Sequence, residues 1–304
     1  MAKDQTPPPP GAWRRFRRNA AAMSALGLLL AVVYLAVDGP RWFDYDPQST
    51  SRAQFEPPSR AHPFGTDING RDVLSRVVQG ARISLLVGGC GALISFFIGT
   101  TYGLVSGYFG GKTDTLMMRF VDIIYSIPRL LLIIIAVFIF DNDLKEWLAR
   151  HGFDQLVGFS RIILLILTLG LNEWLNLARI VRGQVLSLRQ QQFILAARAL
   201  GQSHTRIILR HLLPNLIGIV VVYLTLTIPA VILDESFLSF LGLGIQAPQA
   251  SWGTLIADGA NVINSVHSNW WLLVFPAAAM SVTLLSLNFL GDGLRDAFDP
   301  RQRR

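Results

Sequence analysis

Few residues in this chain are able to carry chemistry, and most of those sit where charge is costly. Arg129, Glu173, Asp234 and Glu235 fall inside or at the ends of long apolar runs. An ionisable group there must pair, line a wet path or cap a helix end. Arg129 and Asp234 read as interfacial helix caps. Glu235 leads into a glycine-rich segment that includes Gly242 and Gly244, and with them reads as a pathway or packing group. Metal chemistry finds no support, because His62, His151, His204, His211 and His267 are scattered, without a His-x-x-His pair or a cysteine cluster. Cys90 is the single cysteine, which excludes an intrachain disulfide.

Three apparent motifs fail on context. The run GKT from Gly111 resembles the end of a phosphate-binding loop, but the first glycine of that motif falls at Ser106, after a helical run instead of a strand. The Asp and Asn residues of GTDINGRD, from Gly65, lack the ligand spacing and the bidentate Glu of a calcium loop. No strand-turn-helix nucleophile elbow occurs. The chain reads as a non-enzyme, with no catalytic residues, no metal and no cofactor of its own.

The elements that position these residues follow from composition. The chain has 304 residues, 51% hydrophobic and only 15% charged, with a mean hydropathy of +0.42. That balance excludes a water-soluble core and predicts an all-α polytopic membrane protein. The net charge of +7 is spread between apolar runs instead of along one stripe, so it reads as a topology signal and not as a nucleic-acid footprint.

Six spans are predicted, over 20–37, 83–111, 121–140, 162–180, 212–233 and 270–290, each near the length a bilayer requires. Pro128 and Arg129 interrupt the third, and Pro229 marks a kink in the fifth. Small residues recur every fourth position at Gly91, Ser95, Gly99, Gly103, Gly107 and Gly111, a ridge for close helix packing in a bundle or dimer. Segments 38–79 and 141–160 are polar and placed outside, 238–259 is external or re-entrant, and Trp270 and Trp271 form an interfacial pair. Arg14, Arg15, Arg17, Arg18, Lys112, Arg119, Arg179, Arg182, Arg189 and the C-terminal arginines then lie inside, so both termini are cytosolic. The chain divides into a basic arm (1–19), a first helix with an external segment (20–78), and a transmembrane domain (79–304) with a cytosolic loop near 182–214.

That loop is neither apolar enough for lipid nor polar enough for a tail. Phe193, Ile194, Ala197 and Leu200 recur at helical spacing, and Gly201 supplies a stop. Ala196, Ala197 and Ala199 allow another protein's surface to approach the backbone. A basic segment with Arg206, Arg210 and His211 follows, ending at Pro214.

Several runs, in order and over nearly the whole chain, resemble the membrane permease subunits of binding-protein-dependent ABC importers. The resemblance is to the second permease of the dipeptide, oligopeptide and nickel class. The runs are the arginine-rich start from Arg14, GTDINGRD from Gly65, GARISL from Gly80, GYFGG from Gly107, VRGQVLSLR from Val181, AARALG from Ala196, SFLGLG from Ser239, SWG from Ser251 and GDGLRDA from Gly291. The resemblance implies a type I importer permease in the inner cell membrane. Its partners are a second permease, two ATPase subunits that bind the ATP, an external solute-binding protein, surrounding lipid and a peptide-like substrate. The loop is similar to the family's EAA loop, which implies that Phe193, Ala196, Ala197, Arg198, Leu200, Gly201 and Pro214 couple to the ATPase. Leu195 stands where that motif begins with Glu, and His211 where it has Ile, so docking rests on packing and on Arg198. The alternative, a self-sufficient secondary transporter or channel, requires a coupling-ion site of its own and, as a rule, internal repeats.

Overall fold

Polar side chains close the first turns of the apolar runs. In the computed structural model, which describes residues 12–39, 46–263 and 268–298, a short arm α1 (Ala12–Arg18) is followed by Asn19. The Asn19 side chain accepts from the Ala22 N–H at 3.1 Å and caps α2 (Ala20–Asp38). Asp72 does the same for α3 (Val73–Phe109), accepting from Ser75 N–H at 2.8 Å. Pro7 to Pro10, His267 and the last arginines lie outside the described residues.

The second span starts well before residue 83. Arg76 need not leave the helix, because its guanidinium meets Asp67 at 2.7 Å. The third span is two helices, α4 (Gly111–Tyr125) and α5 (Arg129–Arg150), bent by 80°. Pro128 lies at the joint and turns the residue before it out of helical geometry. The polar segment expected over 141–160 is largely helical as well. The α5 helix runs through Asp141, which is buried and bonded to Lys145 at 2.7 Å and Ser160 at 3.1 Å. Then come α6 (Asp154–Val157), α7 (Ser160–Leu188), α8 (Gln192–Ala199), α9 (His204–Ile207), a π turn (Ile208–Leu212), α10 (Leu213–Phe240), α11 (Trp252–Val262) and α12 (Trp271–Phe298).

Five of these stretches, α2, α3, α7, α9 with α10, and α12, are long and apolar enough to cross a membrane, and the bent α4–α5 pair makes up to six. At 11 residues, α11 is too short to cross. It is held by Trp252, fully buried, whose indole N–H donates to the Val77 carbonyl at 3.1 Å. Of the tryptophan pair only Trp270 is left exposed. Trp271 is buried and donates to the Thr66 carbonyl at 3.3 Å.

The small-residue ridge finds its partner within the chain. A Cβ on Gly99 would meet the Trp174 carbonyl oxygen at 2.8 Å, one on Gly103 the Ala178 oxygen at 2.5 Å, and one on Gly107 the Arg182 oxygen at 2.9 Å. Thus α3 and α7 pack backbone to backbone, as helices in lipid do when small residues face each other. The ridge ends at Gly107, since nothing lies near Gly111.

Candidate functional site

The α8 helix ends in a Schellman motif. Gly201, at φ +72°, sends its N–H to the Arg198 carbonyl at 2.9 Å, and Gln202 N–H reaches Ala197 at 3.1 Å. A side chain at Gly201 would be strained in that left-handed conformation. The single apolar stripe expected here divides in two. Ile194 and Ala197 are buried in one cluster with Val185, Ile207 and Leu212. Phe193 and Leu200 are 42% and 81% exposed, and Ala196, Arg198 and Pro214 are also exposed. Phe193, Ala196 and Leu200 share the outward face by helical spacing. Ala197 therefore supports the helix from within and does not belong to the presented surface.

Pro214 is the second residue of α10, which follows the π turn without a break. It lies inside a continuous helical stretch from His204 to Phe240. A proline lacks an N–H and clashes with the carbonyl four residues earlier. The π turn directly before it, in which Leu213 N–H bonds back to the Ile208 carbonyl, accommodates both.

Side chains from five helices, α3, α4, α7, α8 and α9, hold this end of the molecule. The Tyr108 hydroxyl lies 2.8 Å from His204 Nδ1, and the Arg198 guanidinium sits 5.0 Å above the Tyr108 ring. Arg189 donates to the Gly107 carbonyl at 3.1 Å. Arg182 grips Asp114 with two bonds of 2.6 Å, and Ser106 donates to the same carboxylate at 2.5 Å. Bidentate pairing fixes orientation as well as distance. His211 meets Gln202 Oε1 at 2.9 Å. The sequence alone does not single out Tyr108 or Asp114, and it brings up Ser106 only as the residue that breaks the phosphate-loop pattern. The GYFGG run containing Tyr108 was its only signal.

Glu235 is fully buried. Ser239 Oγ donates to it at 2.7 Å, and Ser84 and Ser236 lie at 3.4 Å. Ser84 Oγ in turn accepts the Trp252 backbone N–H at 3.2 Å. The carboxylate thus ties α10 to α3 and to the start of α11, a packing role. Gly242, at φ +75°, ends α10, with its N–H on the Ser239 carbonyl. Gly244 is buried against Ser239.

Arg129 and Asp234 are not helix caps. The Arg129 guanidinium donates to Glu173 at 2.7 Å and to Asp234 at 2.8 Å, joining α5, α7 and α10, with both carboxylates buried and the guanidinium partly open. Among the described residues no group of three His, Cys, Asp or Glu is placed to hold a metal.

The chain matches a family model described as the binding-protein-dependent transport system inner membrane component over residues 99–304. Residues 11–58 match the N-terminal transmembrane domain of oligopeptide transport permease C. It is 46% identical over 297 residues to the dipeptide transport system permease protein of Bacillus subtilis, covering 96% of this chain and 86% of the relative. It is 45% identical to the oligopeptide transport system permease protein of Haemophilus influenzae, covering 95% and 88%. Against the corresponding Escherichia coli protein the identity is 44%, covering 95% and 90%.

Proposed function

Because the chain belongs to the family of inner membrane components of binding-protein-dependent transport systems, we propose that it is one of two permeases in an ATP-driven importer of peptides. Two ATPase subunits bind the ATP, and an external binding protein delivers the cargo. This chain binds no nucleotide and catalyses no reaction. The relatives' names, which specify dipeptides and oligopeptides, support the cargo class.

The observation that carries the reading is the outward face of α8. Phe193, Ala196 and Leu200 present apolar surface in a stretch flanked along the chain by Arg179, Arg182, Arg189, Arg206 and Arg210. Basic residues collect on the cytosolic side, so this face meets the cytosol, where exposed leucine and phenylalanine call for a protein partner. Burying one such side chain contributes about 1.5–3 kcal/mol. We assign Phe193, Ala196, Arg198 and Leu200 to ATPase contact, Ala197 and Gly201 to holding the helix in shape, and Pro214 to the joint behind it. With this end inside, both termini are cytosolic. The residues on α8 move with α3 through Tyr108, so closure of the ATPases passes directly to a membrane span.

Reconstitution in liposomes tests the assignment. The complete importer should take up a peptide only with ATP and the binding protein, and the purified chain alone should take up none. Peptide uptake by the chain alone would establish the self-sufficient transporter instead.

A further inference from the structure

The structure assigns a second role to the buried charges: we propose that Glu173 and Asp234 form a cation subsite for the ammonium group of the cargo, occupied by Arg129 in the present conformation. The occupant rests on the peptide-import reading above, while the site itself rests on geometry.

The three groups carry two acidic charges, both buried, and one basic charge that is partly open. The carboxylates lie behind the guanidinium, with side chains only 8% and 11% exposed against 44% for Arg129. Charged groups within a span face the bundle interior or a water-filled cavity and avoid lipid, so the open side of Arg129 marks the face of the chain turned away from lipid. Asp234 is 8% exposed overall, yet its Oδ2 has no hydrogen-bond partner among the described residues. A buried carboxylate oxygen left unpaired is costly, and a second cation would satisfy it. Arg129 is the first residue of α5, directly after the 80° joint with α4. Movement at that joint withdraws the guanidinium and uncovers two carboxylates, which match the three N–H donors of an ammonium group.

Two measurements on the reconstituted importer test this. The first uses Asp234→Cys in a Cys90→Ser background, because the native Cys90 is exposed. A cationic methanethiosulfonate reagent should modify Cys at this position about tenfold faster than an anionic one in the ATP-trapped complex, attracted by Glu173. A thiol inert to both reagents, with and without ATP, would show a packed structural cluster and overturn the site. The second compares uptake of trialanine and N-acetyl-trialanine, each delivered by saturated binding protein. Asp234→Asn and Glu173→Gln should lower the ratio of free-amine to acetylated uptake about tenfold. The binding protein is common to both importers, so its own selectivity cancels. An unchanged ratio in an active importer contradicts the subsite alone. Failure of the wild-type importer to take up either peptide contradicts the peptide reading and the occupant with it.

Discussion

The Tyr108 hydroxyl and His204 Nδ1 lie 2.8 Å apart, joining the last turn of α3 to the first residue of α9. Tyr108 is only 3% exposed, and its ring also carries the Arg198 guanidinium. One side chain thus fixes both the helix that presents Phe193 and Leu200 and the helix that follows it. The contacts of α8 thus continue to α3 here and from α3 to α7 through the glycine ridge.

Tyr108→Phe should leave the protein folded and the Arg198 stacking in place, while removing a hydrogen bond with a net contribution of about 1 kcal/mol. The expected outcome is looser coupling, up to about fivefold more ATP hydrolysed per peptide imported. Tyr108→Ala loses the ring contact too and should uncouple further. Parallel assays of ATP hydrolysis and uptake in liposomes measure both.

The glycine ridge predicts a sharp contrast within α3. Gly103→Val drives a side chain into the Ala178 carbonyl and Val181, at a cost of about 1–3 kcal/mol or more for overpacking. Gly89→Ala, with nothing within 4 Å, should be neutral or slightly stabilising. Thermal unfolding of the detergent-purified chain compares the two.

At Glu235 the two obvious substitutions should separate. Glu235→Gln keeps an acceptor oxygen, and the surrounding serine hydroxyls can turn to accept from its amide, so stability changes little. Glu235→Ala leaves Ser84 and Ser239 without their acceptor in a buried site, a loss of about 1–3 kcal/mol. Unfolding midpoints and membrane-inserted yield report the difference.

Gly201→Ala forces a Cβ into the left-handed region, which costs about 1–2 kcal/mol, and should fray the end of α8. Gly183→Ala, in the helical interior of α7 with open space around it, should instead stabilise by about 0.5–1 kcal/mol. Limited proteolysis near residue 200 and thermal unfolding check the pair.

Much of this architecture was legible in residue types. The apolar runs and the small-residue spacing of α3 each dictate local structure. Span ends were not, because a helix does not stop where lipid does. Arg76 stays in α3 once paired with Asp67, and Asp141 stays in α5 once paired with Lys145. The charge triad was illegible for a different reason. Its members are 44 and 105 residues apart in the chain, so only the packing of α5, α7 and α10 brings them together. In the α8 loop, Gly201 was readable as a stop, but which of two adjacent stripes faces outward depends on the docking of Ile194 and Ala197 against α7 and α9.

The central claim is that the exposed face of α8 seats an ATPase subunit, and Leu200→Asp tests it most directly. Leu200 is 81% exposed, so a carboxylate there disturbs no internal packing. The measurement is the amount of ATPase that co-purifies with the permease pair, with thermal unfolding as the folding control. The account predicts an unchanged unfolding midpoint, ATPase association weakened at least about tenfold, and loss of ATP-driven uptake. Full ATPase association with normal uptake would contradict it.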